Sequence, residues 1–587
     1  MPRKIAAPQQ QGPPRPPTAK LMALLKPYKG LIVLLAALTI VANGLNLVVP
    51  KLISRTIDSW TQGQFHLQSI IEQFVLVALG VFVLTYAQTL VQTYASERVA
   101  KDLRTRLAGK ISVQSFGWVE QITPAKLLTN LTSDVDSVKT FVSQAIASII
   151  SSLFLIVGAS VLLLSINWRL ALGVLGVIPF IAITFQLVLR KVRVLFRKGQ
   201  EAIDWLNRVI SESILGSSLI RLLNTQQIEC QKFLLANAES RDIGLSILAL
   251  FASLIPAITL AVNIATVVIL ALGGHFVIVG SMSLGDFTAF NSYLAILIFP
   301  IILIGFMSNV IAQAGASYMR IGMILAAQEE PRGGRVISTI RGDVGVQGVT
   351  LTYGDKSVLK NVSLAALAGT RTAIIGPTAA GKTQLLYLLI GLLKPTSGTI
   401  TYDGEAIDSY DKESLHRHVG FVFQDSVMFN LTLRENIAFS NTVDDKDIEK
   451  AIRTAELDDF IASLPQGLDT VVSERGTSLS GGQKQRVMLA RALALNPMVL
   501  LLDDFTARVD TRTERAILEN VRKNYPGITL ISVTQKIASV ADYDQIVLLM
   551  EGEILATGTH AELMAASPEY VQLYDSQRST SHYEIHA

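Results

Sequence analysis

Eight residues, Gly376-Pro377-Thr378-Ala379-Ala380-Gly381-Lys382-Thr383, carry the first chemistry the chain offers. An apolar run, Ala373-Ile374-Ile375, precedes them, and a helical pattern opening with Gln384 follows. In the order strand, glycine-rich loop, helix, this spacing cradles phosphates, because loop N–H groups and the helix N-terminus point at the anion. Lys382 is then placed to reach the β- and γ-phosphates, and the Thr383 hydroxyl to ligate Mg²⁺. A second run, Met498 to Leu502, reads as a buried strand ending in Asp503-Asp504. A nucleotide-hydrolysing site of this kind needs acids there, one for Mg²⁺ and the next to orient water. The second acid is expected to be Glu. It is Asp, one methylene shorter.

Leu479-Ser480-Gly481-Gly482-Gln483 is a third piece. A Ser and two glycines ahead of a helix, read over 487–495, make another anion-binding terminus. The plainer reading is a glycine turn that caps a helix. One domain has little use for both termini on the same phosphates, so the pattern predicts use in trans, on nucleotide held by a second domain.

The elements that must position these residues belong to two kinds of sequence. The chain has 587 residues, too many for one ordinary domain. Half are hydrophobic, 17% are charged and the mean hydropathy is +0.42. That balance suits a membrane protein with a soluble part. The net charge of +4 gives no support to nucleic-acid binding. The one cysteine, Cys230, excludes an intrachain disulfide.

Six apolar stretches, near 30–54, 70–95, 141–166, 169–190, 246–277 and 286–312, are long enough to cross a bilayer, which takes about 20 residues. Basic residues orient them. Arg98, Lys101, Arg104, Arg106 and Lys110 follow the second stretch, and Arg190, Lys191, Arg193, Arg197 and Lys198 the fourth. The loop from His275 to Asp286 has no Lys or Arg, so both termini are expected in the cytosol, at the cell inner membrane. The cytosolic connections, roughly 96–140 and 191–245, read as helical, with breaks near Thr123-Pro124-Ala125 and Leu215-Gly216-Ser217. Residues 1–20 read as a disordered tail, 21–328 as the membrane domain, 329–335 as a linker and 336–587 as an α/β domain.

The phosphate loop at 376–383, Gln424 in Val-Phe-Gln-Asp, Leu479 to Arg486, the Leu-Leu-Leu-Asp-Asp of 500–504 and Val509-Asp510 together resemble the nucleotide-binding domain of an ABC transporter. With six preceding spans and two long cytosolic connections, nearly the whole chain after residue 20 resembles an ABC exporter half-transporter of the type IV fold. The fold class implied is an all-α six-helix transmembrane domain followed by an α/β P-loop ATPase domain of ABC type. The resemblance implies ATP and Mg²⁺ as cofactors. It places Tyr353 on adenine, Gln424 beside Mg²⁺ and the attacking water, and Asp503 on Mg²⁺ through water. Asp504 takes the position of the catalytic Glu, Gln535 that of the switch His, and Asp510 the D-loop. Ser473-Glu474-Arg475-Gly476 is similar to the short exporter motif that touches the coupling helices. Leu128 to Asp136 resembles the first coupling segment.

Two departures matter. Asp504 withdraws a carboxylate by about 1 Å, which costs on the order of 10²-fold in rate. Gln535 offers no cationic donor. With the remaining motifs intact, the expectation is a site that binds ATP and hydrolyses it slowly. A second half-transporter would then supply the faster site, which this chain's signature completes. A homodimer with two slow sites and a nucleotide-gated regulator or channel remain as alternatives. The expected cargo is small, amphipathic or lipophilic, and membrane lipid is an expected partner. Asn43, Asn46, Gln88, Gln92, Gln186, Asn263 and Asn291 are the candidates for its path, since intramembrane amides face a bundle interior or cavity.

Overall fold

A computed structural model of the protein describes residues 21–329, 333–334, 336, 339–354, 356–439, 443–473, 476 and 478–585. The expected tail at 1–20, most of the linker, and Glu474 and Arg475 of the short exporter motif lie outside the described residues. The chain divides into two compact units, one of residues 1–113 and 122–328, the other of 114–121 and 329–587.

Among its described residues the first unit contains six helical spans: Lys26–Thr61, Leu67–Ser112, Pro124–Ile166, Trp168–Leu215, Gln226–Ile278 and Leu284–Leu325. Each holds a window of mean hydropathy between 2.2 and 2.6. They run 36 to 53 residues, well beyond the roughly 20 a bilayer needs, because the apolar parts continue into polar helix. The first connection breaks where expected: Thr123 sits at φ 71° and Pro124 opens the next helix, a position where its missing N–H costs nothing. The second breaks at Gly216 and again after Leu222.

Side-chain ties hold the first span to the sixth. Lys51 Nζ lies 2.9 Å from Asp286, Ser283 Oγ donates to Asp58 at 2.8 Å, and the Gly285 N–H donates to the same carboxylate at 2.8 Å. A Cβ on Gly285 would stand 2.1 Å from the Ser54 carbonyl oxygen, so only glycine permits this approach. Tyr293, fully buried, donates to the Leu47 carbonyl at 3.0 Å. Further along, Arg320 donates through Nε to Asp134 at 2.9 Å, and Asn130 to the same oxygen at 3.0 Å.

Among the described residues of the second unit, ten strands form two sheets. They are β1 (Val344–Tyr353), β2 (Lys356–Ala366), β3 (Arg371–Ile375), β4 (Ser397–Tyr402), β5 (Glu405–Ala406), β6 (Val419–Val422), β7 (Val499–Asp503), β8 (Thr529–Val533), β9 (Gln545–Met550) and β10 (Glu553–Gly558). A four-stranded antiparallel sheet runs β2-β1-β4-β5, and a six-stranded sheet runs β10-β9-β3-β8-β7-β6. In the latter β9, β3, β8, β7 and β6 are parallel. Every residue of β7 and β8 is buried, which explains their near-continuous apolar sequence. Five helices concern the site: α1 (Phe116–Ile122), α2 (Lys382–Leu389), α3 (Gly481–Leu493), α4 (Thr511–Asn524) and α5 (Pro568–Ile585). The α1 segment, drawn from the first long connection, clusters with this unit, and the Phe116 ring meets Tyr387 of α2 edge-on at 5.5 Å.

Candidate nucleotide site

Parallel order places the chemistry. Strands β3, β8, β7 and β6 lie side by side, with Ile374 beside Val533, Asp503 beside Val533, and Val422 beside Leu502. Their carboxyl ends therefore release the phosphate loop, Gln535, Asp504 and Gln424 along one edge, where open α/β sheets bind ligands. Gln424 and Gln535 are exposed, and Tyr353, 46% exposed, ends β1.

The phosphate loop has the backbone its glycines demand. Gly376 sits at φ 153° and Gly381 at 97°; a Cβ on Gly376 would stand 1.9 Å from the Leu549 carbonyl oxygen. Pro377, Thr378 and Ala379 are exposed, Ala380 is buried and Gln384 is half-buried on α2. Ala379 occupies the left-handed region at φ 66°. Alanine fits here by volume, as its size suggests, but its Cβ pays for the backbone. Lys382 is buried and donates to the carbonyls of Gly376 and Pro377 at 2.8 and 2.7 Å. Burial pushes its pKa down, against the pull of Asp504 and Asp503.

Thr383 Oγ1 donates to Asp503 Oδ1 at 3.1 Å. Asp503 Oδ2 is buried with no hydrogen-bond partner. Burial raises the Asp503 pKa to about 6, with Thr383 and Lys382 opposing and Asp504 and Asp425 adding to it. A buried carboxylate oxygen left open beside a hydroxyl suits a hard cation. Among the described residues no cluster of three His, Cys, Asp or Glu could hold a metal.

Asp504 lies just past β7 at φ 45°, its N–H donating to the Val533 carbonyl at 2.9 Å. Burial raises its pKa, with Lys382 and Lys536 opposing. Asp is among the few side chains that tolerate this backbone, so the exchange that shortens the carboxylate also eases the chain.

The signature corrects one expectation. The helix begins at Gly481, not near Val487, and the two glycines form its first turn. Ser480 accepts from the Gln483 N–H at 3.3 Å while the Gln483 side chain accepts from the Ser480 N–H at 2.8 Å. That capping box offsets the helix cost of glycine. A Cβ on Gly482 would stand 2.8 Å from the Arg508 carbonyl oxygen, and one on Gly481 3.0 Å from Arg508 Cδ. Leu479, half-buried, packs on the core beneath. Asp510 caps α4, accepting from the Thr513 N–H at 2.9 Å, which holds its pKa down.

Three of the span amides are already bonded. Asn43 donates to the Thr39 carbonyl at 2.7 Å, Asn291 to Phe287 at 3.4 Å, and Gln92 to the Ser143 carbonyl. Gln88 is half-buried, while Asn46, Gln186 and Asn263 are exposed.

The fold and site define a membrane-embedded P-loop ATPase. A family profile described as the ABC transporter transmembrane region matches residues 32–301, and one described as ABC transporter matches 359–507. The chain is 32% identical to the uncharacterised ABC transporter ATP-binding protein YfiB of Bacillus subtilis, over 95% of this chain and 98% of that one. It is 31% identical to an ATP-dependent lipid A-core flippase of Syntrophus aciditrophicus, over 84% and 83%. Among solved structures, a bacterial Atm1-family ABC exporter with ATP bound superimposes with a TM-score of 0.78 at 24% identity, covering 94% of this chain and 99% of that one. The chain belongs to the ABC transporter family. It is a multi-pass membrane protein of half-transporter architecture, with an ATPase domain that binds ATP and is coupled to transport.

Proposed function

We propose that this chain is the degenerate half of a heterodimeric exporter that drives amphipathic or lipophilic cargo out across the cytoplasmic membrane. The observation that carries the reading is a contrast within one domain. The Thr383–Asp503 cradle and the capped signature are intact, while Asp504 and Gln535 stand where a longer acid and a cationic donor are expected.

Tyr353 stacks on adenine, residues 376–384 hold the phosphates, and Thr383, Asp503 and Gln424 hold Mg²⁺, partly through water. Mg²⁺ held by these residues would supply positive charge against the phosphates. Asp504 and Gln535 align water and the γ-phosphate weakly, so ATP stays long at this site. Leu479 to Gln483, with Asp510, face nucleotide on the partner, where hydrolysis is faster. Nucleotide-driven closure and release then move the spans as rigid bodies between inward and outward access.

Asn46, Gln186 and Asn263 are the amides best suited to the cargo path. They are exposed on apolar helices, where facing lipid is costly and facing a cavity shared by two subunits is not. The basic residues beyond the second and fourth spans support a cytosolic position for both termini. A relative named as a lipid flippase makes a lipophilic cargo reasonable.

The test is to purify the full chain from native membranes, identify what accompanies it, and reconstitute it with and without that protein. The expected result is a second half-transporter carrying the longer acid, with ATP turnover that requires both. Turnover by this chain alone at the rate of the pair would overturn the reading.

A further inference from the structure

We propose that Gln577 is a positioning residue for the γ-phosphate side of the nucleotide site, fixing from α5 the loop that carries Gln535. Its Nε2 donates to the Gln535 carbonyl at 2.6 Å, and the Ile537 N–H donates to its Oε1 at 3.0 Å. One side-chain amide thus grips the peptide groups on both sides of Lys536. An amide is the side chain for this, since it offers a donor and an acceptor together.

The loop is also held from within and from below. The Lys536 N–H donates to Thr534 Oγ1 at 3.1 Å, and Lys536 Nζ lies 3.8 Å from Glu514 of α4, which is 1% exposed. The base of the clamp is firm. Tyr570 of α5 is fully buried, and Leu573 and Tyr574 pack on the core that contains Ile537 and Val540. The same loop leaves β8 at Val533, whose carbonyl accepts from the Asp504 N–H at 2.9 Å. The Gln535 side chain is exposed, so its placement depends on its backbone, and its backbone is held by Gln577. A residue in the last helix of the chain thereby sets the distance between Gln535 and Asp504.

The inference rests on the reading of Gln535 as the residue at the γ-phosphate, and its test separates the two. The full-length chain in lipid nanodiscs is titrated with a non-hydrolysable ATP analogue and with ADP, each with Mg²⁺. Gln577→Ala should weaken the ATP analogue about fivefold to tenfold and ADP less than twofold, because only the γ-phosphate reports on the loop. Gln535→Ala should do the same, and the double variant should be no worse than Gln535→Ala alone. Equal losses for both nucleotides, or losses that add in the double variant, would show a merely structural role and overturn the proposal. If Gln535→Ala lowers the ratio and Gln577→Ala does not, the clamp fails while the reading of Gln535 stands. If Gln535→Ala leaves the ratio unchanged, that reading fails and the clamp's role with it.

Discussion

The Thr383 hydroxyl donates to Asp503 Oδ1 at 3.1 Å, while Asp503 Oδ2 stays buried without a hydrogen-bond partner. A carboxylate so placed costs stability until a cation reaches it. Its pKa, raised to about 6, stands above the ordinary 3.8, so without Mg²⁺ and nucleotide the folded chain holds the proton more tightly than the unfolded one. The resulting stability is fully present below about pH 4 and is lost as pH rises through about 6. Asp503→Asn should therefore raise Tm without ligand at pH 7.5 and erase the extra Tm that Mg·ATP confers. Thermal unfolding with and without Mg·ATP measures both. A variant less stable than the parent without ligand would contradict this account of the site.

Asp504→Glu should raise ATP turnover at this chain's own site by about tenfold to a hundredfold, because it restores the reach of the acid. It should also lower stability by about 1 kcal/mol, since Glu tolerates φ 45° less well than Asp. Turnover and Tm measured on the same preparation test the opposed signs. Unchanged turnover would mean that Gln535, not the acid, limits the site.

The sequence made some elements legible and hid others for physical reasons. Strand β7 was readable because burial on both faces demands an unbroken apolar run, and the phosphate loop because its spacing has one use between a strand and a helix. The start of α3 is hidden in the sequence because two glycines argue against a helix, and only the paired hydrogen bonds of Ser480 and Gln483 reverse that. The left-handed backbone at Ala379 leaves no trace in a residue type chosen for size. Gln577 carries no motif, since its contacts reach backbone groups about forty positions away. Asn43 and Asn291 each donate to a carbonyl one turn back in their own helix, a local bond that residue type alone does not display.

Ala379→Gly should stabilise the nucleotide-binding domain slightly. Left-handed backbone costs a non-glycine residue about 1–2 kcal/mol, and glycine gives back about 0.4–1 kcal/mol through the freer unfolded chain. The net gain should be about 0.5–1 kcal/mol, read as a small rise in Tm. A fall in Tm would mean that the Ala379 methyl packs better than its exposed position indicates.

Arg320→Ala should cost about 2–3 kcal/mol, toward the low end for a broken buried pair because the arginine side chain is 43% exposed while Asp134 is 5% exposed. The loss comes from stranding the Asp134 carboxylate, so Asp134→Asn in the same chain should recover much of it. Thermal unfolding in detergent, with both single variants and the pair, supplies the double-mutant cycle. Strict additivity would show that the two side chains stabilise their helices independently.

Gly482→Ala separates the two roles of the domain. The added Cβ would stand 2.8 Å from the Arg508 carbonyl oxygen, so either α3 or the segment before Asp510 must shift. Nothing in that clash touches Lys382 and Thr383, in the first turn of α2, or Asp503, at the end of β7. ATP binding by this chain should therefore survive within about twofold, while turnover by the assembled pair falls at least about tenfold, because the displaced turn no longer presents its N–H groups to the partner's nucleotide. Binding is read by titration on the single chain, and turnover on the reconstituted pair. Loss of binding in the isolated chain would place the signature turn in this chain's own site and argue against its use in trans.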